Sequence, residues 1–152
     1  MSQLSDPPEK RDALEALYRE VVLEHYRNPR NRAPLAHATA EARAVNPVCG
    51  DQVHVEVELA DGRIAAVSSR ARGCSIAVAS GSVMTELVRG ETPAEARARG
   101  DALGRVVRGE PPRPDLDPRL RAFGRVASLP SRQRCATLAW EALAEALGGA
   151  TT

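Results

Sequence analysis

The chain has 152 residues, 43% of them hydrophobic and 27% charged, a composition typical of a single soluble globular domain. Its formal net charge of +1 argues against a nucleic-acid surface. The sequence has no apolar run near the roughly 20 residues that span a bilayer and no signal peptide at its N-terminus. We therefore expect a cytoplasmic protein that contacts neither nucleic acid nor membrane.

The chain order of the predicted elements indicates an α+β fold. A flexible tail at residues 1–9 precedes an amphipathic helix, and alternating segments with the hairpin signal Asp61-Gly62 follow it. The remainder is helical, interrupted by the four prolines of residues 110–118. Predicted helices cover residues 11–26, 76–88, 93–99, 101–108 and 132–147, and predicted strands cover residues 38–44, 53–59 and 64–69. We expect a small antiparallel sheet of about three strands, with an N-terminal helix and a C-terminal group of helices packed on it.

The three cysteines each fall where predicted elements meet. Cys49 lies in a turn that leads into a strand. Cys74 precedes a helix that Ser75 is expected to cap, and Cys135 is expected in the first turn of the last helix. The start of a helix favours the thiolate, the form that binds metals and attacks sulfur. An odd number of cysteines argues against a disulfide framework.

A carboxylate accompanies the first cysteine, because Asp51 lies two residues after Cys49. Three thiolates and one carboxylate would form a tetrahedral set for zinc, or four ligands for a small iron–sulfur cluster. The cysteines are separated by 25 and 61 residues, which matches no short metal motif. Position alone therefore leaves three alternatives open: a shared metal site, unrelated buried thiols, or a lone redox cysteine.

Four stretches resemble the U-type iron–sulfur assembly proteins, the IscU/SufU family, in the same order along residues 14–147. They are LYREVVLEHYRNPRN at 17–31, NPVCGD at 46–51, GCSIAVASGSVM at 73–84 and RQRCATLAW at 132–140. Two features resemble the SufU branch. Arg134 stands where the scaffold branch typically has a histidine, and residues 101–121 resemble an insertion that the scaffold branch lacks. On this resemblance, residues 10–148 form one domain, followed by a tail at 149–152.

The resemblance implies a zinc-dependent sulfurtransferase that accepts persulfide sulfur from a SufS-type cysteine desulfurase and supplies downstream iron–sulfur assembly proteins. It implies a zinc site at one end of the domain, with Cys49 as the sulfur acceptor, Arg132 as a functional basic residue nearby, and the ligands Cys49, Asp51, Cys74 and Cys135. The alternative is a non-enzymatic scaffold that assembles a [2Fe–2S] cluster, or binds iron, on the same four residues. A purely structural zinc site is disfavoured, because such sites normally use four Cys or His ligands.

The remaining polar candidates are expected to have structural roles. His25 continues the stripe of the first helix and is expected to pack there with a hydrogen bond. His54 is expected on the strand face opposite the valines, in solvent or in an ion pair. It lies three residues from Asp51, so a ligand role is its alternative. Arg134 is expected on the surface.

Overall fold

The fold is built on a three-stranded antiparallel sheet in the order β1-β2-β3. The structure is a computed structural model, and it describes residues 8–148. The strands are β1 (Ala40–Asn46), β2 (Asp51–Ala60) and β3 (Arg63–Arg72). The helices are α1 (Pro8–Arg27), α2 (Ser75–Val88), α3 (Pro93–Val107), α4 (Pro118–Ala122) and α5 (Pro130–Ala146), with a 3-10 helix at Phe123–Ser128. The predicted α+β class is confirmed.

The register of the sheet brings the cysteine loops to one end. Asn46 of β1 lies opposite Asp51 of β2, and Gln52 lies opposite Arg72 of β3. The end of β1, the start of β2 and the end of β3 therefore lie together. The predicted turn Asp61-Gly62 closes the hairpin at the other end, and both of its residues have positive φ, as a type I′ turn requires.

The inner face of the sheet carries the core. Val53, Val55 and Val57 of β2 are at most 2% exposed, as the period-two pattern predicts. They join one hydrophobic cluster with the buried faces of α2 and α5, both of which pack on the sheet. Helix α1 lies on α2 and buries Val21 and Val22. Packing of α2 and α5 against one face fixes where their cysteines lie relative to the sheet.

The segment between α1 and β1 crosses the outer face of the sheet. The carbonyl of Asn31 accepts a hydrogen bond from the Ser69 N–H at 3.0 Å. The N–H of Leu35 donates to the Glu56 carboxylate at 3.4 Å. The part of this face nearest the cysteine loops, where Arg72 ends β3, remains exposed.

Helix α3 differs from the prediction. One continuous helix, capped by Thr92, replaces the two short helices predicted at 93–99 and 101–108. Gly100 does not end a helix. A Cβ at that position would contact the Trp140 ring at 3.4 Å, so glycine allows α3 to approach α5 closely. The predicted break between residues 99 and 101 was wrong, because the contact that explains a glycine inside the helix is with a distant residue.

Two elements near residue 120 were not predicted, namely α4 and the 3-10 helix. Asp117 caps α4 by accepting the Arg119 N–H at 2.9 Å, and Pro118 occupies its first turn. An Asp-Pro pair is a recognised start signal for a helix, so this element was detectable. Residues 101–121 comprise the second half of α3, the proline-rich loop and most of α4.

The structure tests the two predicted tails only in part. Helix α1 begins at Pro8, so Pro8 and Glu9 are helical, whereas they were expected in the tail. Residues 1–7 and 149–152 lie outside the described residues, and the predictions for them stand as predictions. Within residues 8–148, the helices are too short or too polar to cross a membrane.

Candidate metal centre

The three cysteines converge at the end of the sheet where β2 begins. Cys49 lies in the turn between β1 and β2, and Cys74 lies between β3 and α2. Cys135 lies on α5, which packs against β1 and β2. The sulfur atoms of Cys49 and Cys135 are 3.8 Å apart although 86 residues separate them. The thiols of three distant segments therefore share one site.

Asp51 lies between these thiols and is only 2% exposed. Its Oδ1 accepts a hydrogen bond from the Cys74 N–H at 3.0 Å, and its Oδ2 lies 3.2 Å from the Cys74 sulfur. The ligand atoms of Cys49, Asp51 and Cys135 all lie within 4.8 Å of one another. These three donors lie within reach of one ion, and Cys74 contacts the same carboxylate through Oδ2. The role of Cys74 as the fourth ligand stays a prediction. Gly73 packs against the carboxylate, a contact that the sequence analysis did not anticipate.

The electrostatics of the centre follow from burial and from these hydrogen bonds. Burial alone would raise the pKa of Asp51. Hydrogen bonds from the thiols of Cys135 and Cys74, and from the Cys74 N–H, outweigh burial and hold the pKa below its usual value. Burial, followed by the hydrogen bond to Asp51, raises the pKa of the Cys135 thiol far above its usual range. A cation at this point would have the opposite effect on Cys135, because it favours the thiolate.

Exposure differs sharply among the three thiols: Cys49 is exposed, Cys74 is partly buried and Cys135 is buried. Two expectations about where the cysteines lie in their helices need correction. Helix α5 begins at Pro130, so Cys135 lies in its second turn, away from the unpaired N–H groups of the first turn. Cys74 is itself the N-cap of α2, where Ser75 was expected, and its side chain makes no capping hydrogen bond.

The donor set fits a zinc ion. Zn–S bonds of about 2.3 Å in a tetrahedron place two sulfurs about 3.8 Å apart, and Cys49 and Cys135 have that separation. Oδ1 of Asp51 is engaged by the Cys74 N–H, so the carboxylate has Oδ2 to offer as a single ligand atom. The sulfurs of Cys49 and Cys135 lie within 4.8 Å of a carboxylate oxygen of Asp51, and the Cys74 sulfur, 3.2 Å from Oδ2, is the candidate for the fourth donor.

The two arginines before Cys135 have different surroundings. Arg132 is exposed and lies one helical turn before Cys135. Burial raises the pKa of Tyr18 above its usual value, the Cys74 thiol adds to this effect, and the charges of Arg125 and Arg132 oppose it. Arg134 pairs with Glu141 at 3.1 Å on the surface, as predicted.

His25 and His54 do not belong to the centre. His25 is 4% exposed and its Nδ1 lies 2.7 Å from the Ser82 hydroxyl, which confirms the predicted packing role. His54 faces the outer side of the sheet and pairs with Glu41 at 3.1 Å. Asp51 faces the other side, since residues of odd and even number alternate along β2. The sheet therefore separates His54 from the thiols, and its alternative role as a ligand was wrong.

A second cluster, of two glutamates and one histidine, lies on the outer face of the sheet. One ligand atom each from Glu41, His54 and Glu56 lies within 4.8 Å of the others. The Arg70 guanidinium donates to His54 Nδ1 at 2.8 Å and to Glu56 at 3.0 Å. A guanidinium has no acceptor, so His54 Nδ1 accepts and Nε2 carries the proton that faces Glu41. Arg70 already supplies the positive charge at this position, so the group is an internal ion-pair network.

Comparison with known proteins identifies the family. The model of the NifU-like N-terminal domain matches residues 17–115. The zinc-dependent sulfurtransferase SufU of Bacillus subtilis is 31% identical over 131 residues, covering 86% of this chain and 88% of that protein. The iron–sulfur cluster assembly scaffold protein IscU of Streptococcus pyogenes is 35% identical over 136 residues, covering 88% and 84%. The crystal structure of a NifU-like N-terminal domain from Brucella abortus superposes with a TM-score of 0.79 at 27% identity, covering 89% of this chain and 94% of that one.

The chain belongs to the NifU-like N-terminal domain family, which comprises the U-type iron–sulfur cluster assembly proteins SufU and IscU. The resemblance seen in the four sequence stretches is thereby confirmed. Relatives with different names, a sulfurtransferase and a scaffold, align over similar shares of the chain.

Proposed function

We propose that this protein is a zinc-dependent sulfurtransferase of iron–sulfur cluster assembly, with one Zn²⁺ held by Cys49, Asp51, Cys74 and Cys135. The observation that carries the proposal is a buried carboxylate surrounded by three thiols, of which Cys49 alone is exposed. A zinc ion bound there would hold the thiols as thiolates and join the three segments that carry them. The relative from B. subtilis, named a zinc-dependent sulfurtransferase, supports this choice of metal.

Cys49 is the proposed sulfur acceptor, because an external donor can reach an exposed thiol and cannot reach the buried Cys135. The donor is the persulfide of a SufS-type cysteine desulfurase. The Cys49 thiolate attacks the outer sulfur, a new S–S bond forms on Cys49, and the S–S bond of the desulfurase breaks. The desulfurase cysteine leaves as a thiolate and the proton stays on the transferred sulfur, so the exchange needs no oxidant. Downstream iron–sulfur assembly proteins then receive this sulfur.

Asp51 and Arg132 are assigned supporting roles. A carboxylate is a harder ligand than a thiolate, so Asp51 makes the site easier to rearrange than a set of four cysteines would be. Arg132 is exposed one helical turn before Cys135, where its charge would favour the attacking and leaving thiolates of the exchange. The chemistry requires three reduced thiols, which is consistent with the cytoplasm as the compartment.

A scaffold that assembles a [2Fe–2S] cluster on the same four residues is the second candidate. The relative from S. pyogenes, at 35% identity over most of both chains, is named as such a scaffold. Iron and sulfide would then be the substrates of the site. Arg134 and residues 101–121, which resemble the SufU branch, favour sulfur transfer.

Metal content, colour and desulfurase activity distinguish the two functions. The protein is purified aerobically and anaerobically, its zinc and iron are measured, and its visible spectrum is recorded. Sulfur transfer predicts one tightly held zinc, no brown chromophore, and faster turnover of L-cysteine by a SufS-type desulfurase. A stable brown protein with two irons and no stimulation would instead establish the scaffold.

A matched pair of variants tests the acceptor. Cys49→Ser and Cys74→Ser each remove one proposed ligand, but only the first removes the acceptor. We expect Cys49→Ser to abolish persulfide formation on the chain, measured by mass spectrometry after incubation with desulfurase and L-cysteine. Cys74→Ser should still form a persulfide at Cys49, with weaker zinc retention. Normal sulfur transfer by Cys49→Ser would refute the assignment of the acceptor.

A further inference from the structure

A groove of about 440 Å³ lies on the exposed part of the outer sheet face, beside the metal centre. Its lining contains no carboxylate from the described part of the chain. The lining does contain four arginines, which are Arg32, Arg43, Arg70 and Arg72. Such a concentration of guanidinium groups in a chain of net charge +1 indicates a site for anions.

The strand register builds the groove. Arg43, His54 and Arg70 form one row across the three strands, and Val45, Gln52 and Arg72 form the next row toward the metal centre. Strands lie about 4.8 Å apart and successive rows on one face about 7 Å apart. The arginines at the two sides of the groove are therefore roughly 10 Å apart at the backbone. This spacing suits several carboxylates along a chain better than one compact anion.

Neighbouring acids neutralise only part of this charge. Glu56 is bound by Arg70, and Glu41 is paired with His54. With these two glutamates set against the four arginines, about two positive charges remain on this face. Arg43 and Arg72 are both exposed and are available to an incoming ligand.

Exposed aliphatic side chains accompany the arginines. Val45 is 48% exposed within the groove, and Val48 is 86% exposed in the turn that carries Cys49. A small inorganic anion gains nothing from such groups. A protein surface gains from both, because arginine and desolvated apolar side chains contribute strongly to interfaces.

We propose that this basic groove binds an acidic segment of a partner protein, a run of Asp and Glu side chains that includes an aliphatic residue. Arg43 and Arg72 bind the carboxylates, and Val45 contacts the aliphatic side chain. Arg72 lies two residues before Cys74, so the groove reaches the end of the sheet at which the cysteine loops lie. The proposal requires neither zinc nor sulfur transfer, and it stands or falls separately from the proposed function.

The test measures the binding of three defined probes to the protein as purified. Binding is detected by shifts of the protein's amide NMR signals. The probes are a blocked hexaglutamate peptide, the same peptide with one glutamate replaced by leucine, and inorganic pyrophosphate. We expect saturable, salt-sensitive binding of both peptides, with shifts centred on Arg43, Gln52 and Arg72 and tighter binding of the leucine-containing peptide. Val45→Thr should remove that preference while preserving the strand.

A charge-matched pair of variants provides the control. Arg43→Gln/Arg72→Gln should weaken peptide binding about tenfold, the effect of losing two exposed charge contacts. Arg89→Gln/Arg113→Gln lowers the net charge equally at exposed positions outside the groove and should change binding less than about twofold. Equal weakening by both variants would show non-specific attraction and would overturn the proposal. An absence of saturable shifts would also overturn the proposal. The same holds if pyrophosphate bound more tightly than either peptide and Val45→Thr had no effect on peptide binding.

Discussion

A β-carbon placed on Gly73 would lie 1.9 Å from Oδ1 and 2.6 Å from Cγ of Asp51. The same carboxylate oxygen accepts the N–H of the next residue, Cys74, at 3.0 Å. Gly73 has a φ of +139°, a conformation that is essentially restricted to glycine. The missing side chain therefore makes room for the proposed ligand and allows the backbone to hold it.

Gly73→Ala should damage both the fold and the metal centre. The strained φ and the clash with Asp51 together should lower the free energy of unfolding by about 3 kcal/mol. Displacement of the carboxylate should weaken zinc retention by about tenfold or more. Urea unfolding and competition with a chromophoric chelator measure the two effects.

Gly62→Ala is the matched control for this variant. Gly62 has a φ of +74° and nothing lies within 4 Å of its added Cβ, so it isolates the backbone strain. We expect a loss of about 1 kcal/mol and unchanged zinc retention. If both variants retained zinc equally, Gly73 would have no special relationship to the carboxylate.

Ser80→Ala should loosen the contact between α2 and the helix that carries Cys135. The Ser80 hydroxyl is fully buried, donates to the Ala136 carbonyl and accepts from the Trp140 indole N–H at 3.2 Å. Its removal leaves the buried Trp140 indole N–H unpaired and takes from the Ala136 carbonyl its bond to α2, while that carbonyl keeps its bond within α5. The expected cost is about 1–3 kcal/mol. Trp140 is the single tryptophan of the chain, so its fluorescence reports the change directly.

Thr137→Ala is the control on the same helix. The Thr137 hydroxyl contacts the exposed Glu141 carboxylate at 3.1 Å, and exposed contacts contribute little. We expect a change below about 0.5 kcal/mol and an unchanged fluorescence spectrum. A similar loss in both variants would remove the special role of the buried hydroxyl.

Local patterns in the sequence were sufficient for the sheet. The alternation of Val53, Val55 and Val57 and the Asp61-Gly62 turn depend on short-range geometry, and both are found as predicted. Once β2 pairs with both neighbours, Cys49 and Cys74 must lie at the same end. The positions of the first two cysteines are thus consequences of strand register.

The third cysteine could not be placed in this way. Cys135 comes 61 residues after Cys74, and its position depends on how α5 packs against the sheet, which no local pattern encodes. Gly100 shows the same limit, because only its contact with Trp140 explains a glycine inside a helix. In the sequence analysis, the family resemblance was the argument that united all four residues.

His25 should make stability depend on pH. Burial lowers its pKa below the ordinary value of about 6.5, and Arg30 and Arg119 lower it further, against Glu86 and Glu24, which raise it. The folded state therefore binds fewer protons than the unfolded state between the folded pKa and about pH 6.5. Stability contributed by neutral His25 is complete above that window and is lost as the pH falls through it.

The pH dependence is measured by urea unfolding between pH 7.5 and 5 on the parent and on His25→Gln. We expect the variant to be less stable at pH 7.5, because the contact with Ser82 changes, and to lose stability less steeply on acidification. His37→Gln removes an exposed loop histidine and should keep the parent slope. A parent slope retained in His25→Gln would assign the pH dependence to another group.

Arg132→Gln should slow sulfur transfer without altering the metal centre. The side chain is exposed one turn before Cys135, so its loss leaves the core and the four donors intact. Removing its charge withdraws electrostatic stabilisation from the attacking and leaving thiolates of the exchange, and we expect a loss of about tenfold at low salt. Persulfide formation on Cys49 is timed with a SufS-type desulfurase, alongside zinc content and thermal unfolding.

Two further variants separate charge from position in this prediction. Arg132→Lys keeps the charge and should recover much of the rate, because the proposed effect is electrostatic and not bidentate. Arg134→Gln removes an equal charge two residues away, where Glu141 already pairs with it at 3.1 Å, and should transfer sulfur normally. If Arg134→Gln slowed transfer as much as Arg132→Gln, the general charge of α5 would be responsible. If Arg132→Gln transferred sulfur at the parent rate, Arg132 would be an ordinary surface residue.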